Sequence, residues 1–122
     1  MIILDTNVLS ALMRPDENGG VVEWANRSAS ETLWTTAITT YEIRYGLLLM
    51  ADGRRKLQAS GLFDNLVRSI FRDRVLEFDV TAAEQAAMVA ATQRQRGRNV
   101  GVPDTQIAGI AISRGATLAT RN

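Results

Sequence analysis

The chain has 122 residues, of which 46% are hydrophobic, and its formal net charge is only +1. This length predicts one domain, and the lack of cysteine excludes disulfides and thiolate metal sites. The balanced charge argues against a polycation that binds nucleic acid by bulk charge alone. We recognise no signal peptide and no apolar run of membrane length, and we therefore expect a soluble, cytoplasmic protein without a membrane partner.

Short apolar runs alternate with helical periodicity along the whole chain. In chain order we predict a strand over 2–4, helices over 8–13 and 21–25, a strand over 33–36, helices over 41–50 and 57–71, a strand over 75–78, helices over 81–95 and 103–113, and a strand over 117–120. Thr81 and Glu84 form a capping-box pattern that we expect to open the fifth helix. The alternation predicts a parallel sheet flanked by helices.

Three acidic residues stand where we expect a strand to give way to a helix: Asp5, Glu42 and Asp104. The carboxyl ends of parallel strands share one edge of the sheet, so we expect these carboxylates to meet in one cleft. Carboxylates held together repel one another unless a cation lies between them. Because the chain has no histidine and no cysteine, the expected cation is Mg²⁺ or Mn²⁺, which prefer oxygen ligands. Metal-dependent phosphodiester cleavage is the chemistry that this set favours.

Each acid also has a purely structural interpretation. Asp5 is a good N-cap residue, and Glu42 completes a capping-box pattern with Thr39. Asp104 follows a proline in a predicted first helical turn, where the helix dipole favours negative charge. Gly46, one turn after Glu42, either leaves space for a ligand or permits close helix packing. The sequence alone leaves these alternatives open.

Four segments, in order, resemble the motifs of PIN-domain ribonucleases. They are ILDTNVL at 3–9, AITTYEIRYG at 37–46, GRNVGVPDTQIA at 97–108 and TLATRN at 117–122. Together they span the chain from its first strand to its last residue. The short length of the chain and the residues of these motifs are most similar to those of VapC-type toxins of bacterial toxin–antitoxin pairs, including the FitB-like branch.

The resemblance implies a single PIN-like domain over residues 1–122, with a three-layer α/β/α fold and a parallel sheet of four or five strands. It implies an Mg²⁺- or Mn²⁺-dependent endoribonuclease that acts as the toxin of a type II toxin–antitoxin system and forms a homodimer. Its implied partners are an RNA substrate and a small antitoxin, with DNA reached only through that antitoxin. Asp5, Glu42 and Asp104 match the family's catalytic and metal-binding acids.

The resemblance also implies supporting polar roles for Thr6, Asn7, Thr120 and Asn122. The sequence departs from the family at its end, because many relatives carry a fourth acid at Asn122 or a few residues beyond it. Asparagine adds no charge there, so the number of metal ions, one or two, stays open. A C-terminal tail missing from this sequence would explain the ending.

Arginine supplies nearly all of the positive charge, since Lys56 is the only lysine. Arginine forks make bidentate phosphate contacts, and we expect Arg54, Arg55 and Arg98 to guide an RNA backbone. The alternative interpretation of each of these arginines is an ordinary solvated helix end or face.

Two other functions fit parts of the pattern. A metal-dependent phosphatase would need a second acid two residues after Asp5, where this chain has Asn7. A non-catalytic PIN-like binding module, whose acidic cleft recognises an arginine-bearing partner, would need no metal at all.

Overall fold

The computed structural model describes residues 1–121 and contains a four-stranded parallel sheet of order β3-β2-β1-β4. The strands are β1 (Ile2–Leu4), β2 (Leu33–Thr36), β3 (Val75–Leu76) and β4 (Thr117–Ala119). In register, Ile2 pairs with Leu33 on one side and with Thr117 on the other. All carboxyl ends of the strands therefore lie along one edge of the sheet.

Six α-helices connect and cover the strands. They are α1 (Thr6–Leu12), α2 (Gly19–Arg27), α3 (Ala37–Leu49), α4 (Arg54–Ser69), α5 (Val80–Gln95) and α6 (Val102–Arg114). Short 3-10 turns at Pro15–Glu17 and Ser30–Thr32 flank α2. The order of strands and helices confirms the sequence prediction. Within residues 1–121, every helix falls short of the length or the apolarity that crossing a bilayer requires.

Helices cover both faces of the sheet. Neighbouring residues of β1 point to opposite faces, so they pack against different helices. Leu4, which is 0% exposed, packs in a cluster with residues of α1, α3 and α4 such as Leu9, Ile43 and Phe63. Ile3, also 0% exposed, packs in a second cluster that includes Ile107 and other residues of α5 and α6. The three-layer α/β/α prediction is confirmed, with four strands in the described sheet.

The predictions for the start of α5 and for the length of β3 differ from the structure. Asp79, with extended backbone angles, caps α5, and its carboxylate accepts a hydrogen bond from the Ala82 N–H at 2.9 Å. The predicted capping box of Thr81 and Glu84 is therefore wrong, since an aspartate two residues earlier already satisfies the helix end. Strand β3 covers only residues 75–76 of the predicted 75–78, because its partner β2 ends at Thr36, which pairs with Leu76.

Helices α5 and α6 approach each other closely at Gly109. A Cβ atom placed on Gly109 would lie 2.4 Å from the Ala82 carbonyl oxygen and 2.6 Å from the Ala86 nitrogen. Small residues at Ala82 and Ala86, both buried, complete this contact. Since α6 carries Asp104, this contact between the helices fixes the position of Asp104 relative to the sheet.

Candidate functional site

Asp5 joins β1 to α1 at the carboxyl edge of the sheet. Its backbone N–H donates to the Ala119 carbonyl of β4 at 3.1 Å, and its carboxylate accepts from the Val8 N–H at 2.8 Å. The N-cap interpretation of Asp5 is thus confirmed. Capping engages one carboxylate oxygen, Oδ1, so the side chain still lines a cavity beside the sheet edge.

Asp5 and Asp104 share that cavity, which has a volume of about 210 Å³ and is called the Asp5–Asp104 cavity below. Its other polar lining comes from Asn7, Thr120 and Arg121. Two of the three predicted acids, and two of the predicted supporting residues, therefore come together. Of the other two predicted supporting residues, Thr6 lines a different cavity and Asn122 lies outside the described residues.

Asp104 reaches the sheet edge by an unexpected route. It lies in the first turn of α6, which follows α5 and a loop, so the expectation that each acid follows a strand is wrong here. Helix α6 leads into β4 and so ends at the amino edge of the sheet. Its N-terminus consequently lies at the carboxyl edge, next to Asp5.

The surroundings of Asp5 disfavour the ionised form of its carboxyl group. Partial burial raises the pKa of the Asp5 carboxyl above its ordinary value of 3.8, and the negative charge of Asp104 raises it further. Hydrogen bonds from the Val8 and Asn7 backbone N–H groups lower this pKa but do not offset the increase. A proton or a cation bound between the two carboxylates would relieve the conflict.

Glu42 lies in the second turn of α3, and the side chain of Thr6, in α1, holds it in place. The Thr6 hydroxyl donates to Glu42 Oε1 at 2.6 Å and lies 3.1 Å from the Thr39 hydroxyl. The capping-box interpretation of Glu42 with Thr39 is wrong, because Thr36 caps α3 and its hydroxyl accepts from the Thr39 N–H at 3.1 Å. The Glu42 carboxylate is therefore positioned from α1 and not from its own helix end.

Glu42 faces a second cavity, of about 470 Å³, that is called the Glu42 cavity below. Among residues 1–121, no three Asp or Glu side chains are grouped closely enough to hold one metal ion between them. The expected single cleft is thus divided by the first turn of α1: Asp5 and Asn7 line one cavity, and Thr6 lines the other.

The oxygen donors that line the Asp5–Asp104 cavity suit a hard cation: two carboxylates, the Asn7 side-chain carbonyl and the Thr120 hydroxyl. Arg121 lines the same cavity, and its guanidinium group donates a hydrogen bond to the Asn18 side chain. Mg²⁺ in proteins is commonly held by one or two carboxylates, with water and substrate phosphate completing its shell. This donor set fits such an ion. Glu42 lines the neighbouring cavity together with Thr6, and its predicted role in the site stays a prediction.

The three predicted RNA-contacting arginines lie in different places. Arg55 lines the Glu42 cavity, whereas Arg54 is exposed at the first residue of α4. Arg98 lines a separate cavity of about 430 Å³ together with Arg94 and Asn99. Their contact with RNA stays a prediction.

Arg14, which was not among the predicted site residues, also lines the Glu42 cavity. No local pattern indicates this position, because Arg14 lies beyond the end of α1 with non-helical backbone angles. Gly46 was predicted with two alternatives. It is exposed, lines the same cavity, and has no atom within 4 Å of where its Cβ would stand, so it leaves open space.

Comparisons with known proteins agree with this architecture. The PIN domain family model matches residues 2–122. The plasmid stability protein StbB of Pseudomonas syringae pv. tomato is 38% identical over 100% of this chain and 88% of its own length. The VapC ribonuclease Y4jK of Sinorhizobium fredii is 35% identical over 100% of this chain and 87% of its own length.

Among solved structures, the FitAB complex bound to a DNA fragment contains a chain with a TM-score of 0.89 and 33% identity. That match covers 100% of this chain and 85% of the FitAB chain. The fold, the full-length match and the shared identity agree with the motif resemblance. The chain belongs to the PIN-domain family, on the branch that includes VapC-type ribonucleases and the FitB toxin.

Proposed function

We propose that this protein is an Mg²⁺- or Mn²⁺-dependent endoribonuclease that acts as the toxin of a type II toxin–antitoxin system. The observation that carries the proposal is the pair formed by Asp5 and Asp104 at the carboxyl edge of the sheet. Their mutual repulsion and the burial of Asp5 favour a bound cation, and their cavity presents oxygen donors. The relation to VapC ribonuclease Y4jK supports RNA as the substrate class.

In this proposal Asp5 and Asp104 would hold the cation, and Asn7 and Thr120 would orient the attacking water or the phosphate. A divalent cation, when bound, lowers the pKa of water and neutralises charge that develops on the phosphate oxygens. Glu42, fixed by the Thr6 hydroxyl, accepts the proton of the attacking water. The water oxygen then bonds to phosphorus while the phosphorus–oxygen bond to the leaving ribose breaks, and the leaving oxygen takes up a proton from solvent. The N-terminus of α6 adds positive potential beside the phosphate.

We further propose that a small antitoxin inhibits the enzyme and that the active toxin is a homodimer. The similarity to the toxin FitB and to the FitAB complex bound to DNA supports an antitoxin partner here. Contact with DNA only through that antitoxin is part of the same proposal. An arginine of the antitoxin would neutralise Asp5 and Asp104 in place of the metal ion.

One observation favours a second candidate, a non-catalytic PIN-like binding module that recognises an arginine-bearing partner. No group of three acids surrounds a single metal position within residues 1–121. A carboxylate pair without a third close acid suffices to bind a guanidinium group.

Cleavage of a structured, mixed-sequence RNA pool separates the two candidates. We expect cuts with Mn²⁺ or Mg²⁺ that disappear with excess EDTA and in a folded Asp104→Asn variant. Cuts that persist in both controls would contradict the proposed site. Absence of cuts together with absence of Mn²⁺ binding would favour the binding module.

A further inference from the structure

The Glu42 cavity is built by three helices and has two kinds of lining. Its rim is polar, with Glu42 and Thr6 held together by their hydrogen bond and with the Ser10 hydroxyl on the same face of α1. Its floor is apolar and consists of Met13, Ile43, Leu47, Met50 and Ala59. A volume of about 470 Å³ is within the range of ~300–1,000 Å³ that is common for ligand pockets.

Two free cations stand on the rim. Arg14, just beyond α1, and Arg55, in the first turn of α4, are both exposed and line this cavity. The ion pairs within residues 1–121 are Arg27–Glu23, Arg44–Asp64, Lys56–Asp52 and Arg114–Asp79. Neither Arg14 nor Arg55 is therefore neutralised by an acid in the described part of the chain, and both guanidinium groups are free to bind an anion.

The Glu42 cavity adjoins the Asp5–Asp104 cavity across three consecutive residues. Asp5 and Asn7 line the metal-binding side, and Thr6 lines the arginine side. A chain that places one phosphate at Asp5 and Asp104 would pass its neighbouring unit over Thr6 into the Glu42 cavity. The ligand class that repeats a phosphate and a flat, largely apolar base from unit to unit is a single-stranded nucleic acid.

We propose that the Glu42 cavity is a nucleotide subsite, which binds the RNA unit next to the phosphate that is cut. The base lies on the Met13 and Met50 floor, and Arg14 and Arg55 bind its phosphate. The inference rests on the ribonuclease function proposed above and deepens it. Gly46 keeps the subsite open, because a larger side chain there would occupy the space of the base.

Charge removal tests the two arginines. The probe is a pool of single-stranded RNAs about a dozen nucleotides long. Fluorescence anisotropy measures its binding at several salt concentrations. All variants also carry Asp104→Asn, which prevents cleavage. Arg14→Gln and Arg55→Gln should each weaken binding and reduce the slope of log affinity against log salt by about 0.7. Arg72→Gln is the matched control, since Arg72 is exposed before β3, at the amino edge of the sheet.

Filling the space tests the base position separately. Gly46→Leu adds a side chain where no atom lies within 4 Å and should lower RNA affinity by about tenfold. The salt slope should stay unchanged, because no charge is lost. Gly61→Leu, at an exposed position of α4 that is equally open, controls for replacing a helical glycine. Thermal unfolding shows that each variant is folded.

The outcomes separate this inference from the function on which it rests. Suppose that the wild type cleaves RNA but that RNA affinity and salt slope are unchanged in Arg14→Gln, Arg55→Gln and Gly46→Leu. This result would overturn the subsite and assign the cavity to a protein partner. A wild-type protein that neither cleaves nor binds RNA would overturn the ribonuclease proposal first. Weaker RNA binding in these three variants and not in the controls supports the subsite, provided that the same three substitutions retain Mn²⁺ affinity when Asp104 is left unchanged.

Discussion

Asp5 carries a conflict between stability and function at the scale of a single residue. The carboxylate caps α1, a contact that asparagine can also make, yet its charge is disfavoured by burial and by Asp104. The same charge is what a cation needs. Residues that are poorly accommodated in the empty protein but suited to a ligand are typical of functional sites.

We therefore expect Asp5→Asn to abolish catalysis without loss of stability. Metal-dependent cleavage should fall by more than the roughly 10–100-fold that is typical when a residue that only supports a metal ligand is changed. Without metal, the variant should be at least as stable as the wild type near neutral pH. A clear loss of stability in urea unfolding would show that the cap, and not the charge, dominates at Asp5.

The pH dependence of this difference has a defined sign. Because the folded-state pKa of Asp5 is raised above 3.8, the ionised carboxylate lowers the stability of the wild type. That penalty is absent below pH 3.8, where Asp5 is protonated in both states, and grows until the pH exceeds the folded-state pKa. The stability gain of Asp5→Asn should follow the same window and disappear in acid.

The hydrogen bond between Thr6 and Glu42 is a second feature at the residue scale. Thr6→Val keeps the shape of the side chain but removes the donor, and we expect cleavage to fall about 10–100-fold as for other supporting contacts. Mn²⁺ affinity at Asp5 and Asp104 should change little, because neither ligand is touched. Thr40→Val is the matched control, since the Thr40 hydroxyl bonds only the Thr36 carbonyl at 3.1 Å. Wild-type cleavage by Thr6→Val would exclude a positioning role for this bond.

At the scale of elements, the contact of α5 with α6 decides where Asp104 stands. Gly109→Ala would place a methyl group 2.4 Å from a backbone oxygen of α5, so the two helices must separate. We expect a loss of about 1–3 kcal/mol in the free energy of unfolding. Cleavage should fall as well, because α6 moves with Asp104.

Gly61→Ala provides the comparison for this test. Gly61 is exposed in α4 with no atom within 4 Å of a new Cβ, and the change should stabilise the protein by about 0.5–1 kcal/mol. Urea unfolding of both variants measures the difference. Equal stability of Gly109→Ala and the wild type would mean that the helices are not in this close contact in solution.

At the scale of the whole molecule, a cation that binds only the folded state should stabilise the entire chain. Free Mn²⁺ at a hundred times its dissociation constant would add about 2.7 kcal/mol and raise the Tm accordingly. Asp104→Asn should remove most of this shift, because one of the two carboxylates is lost. Thermal scans with Mn²⁺ and with EDTA measure it, and a wild-type Tm that ignores Mn²⁺ would contradict the metal site.

Local signals were sufficient for most of the architecture. The apolar run at residues 2–4 and the β-rich run at 33–36 match β1 and β2 residue for residue. Failures occurred where several local solutions competed, as at the start of α5, where Asp79 rather than Thr81 is the cap. Asp104 was placed at the correct edge for an incorrect reason, because a helix–loop–helix connection has the same acidic and proline signals as a strand–helix junction.

The sequence by itself determined the order of strands and helices, the oxygen-only set of candidate ligands and the family to which the chain belongs. These properties depend on periodicity, on residue chemistry and on motifs whose members lie close together in the chain. Only the tertiary structure decided that Asp5 and Asp104 share one cavity, that Thr6 holds Glu42, and that Arg14 and Arg55 face the same space. Thr6 and Glu42 are 36 residues apart, and their contact depends on how α1 and α3 pack on the sheet, which no local pattern specifies.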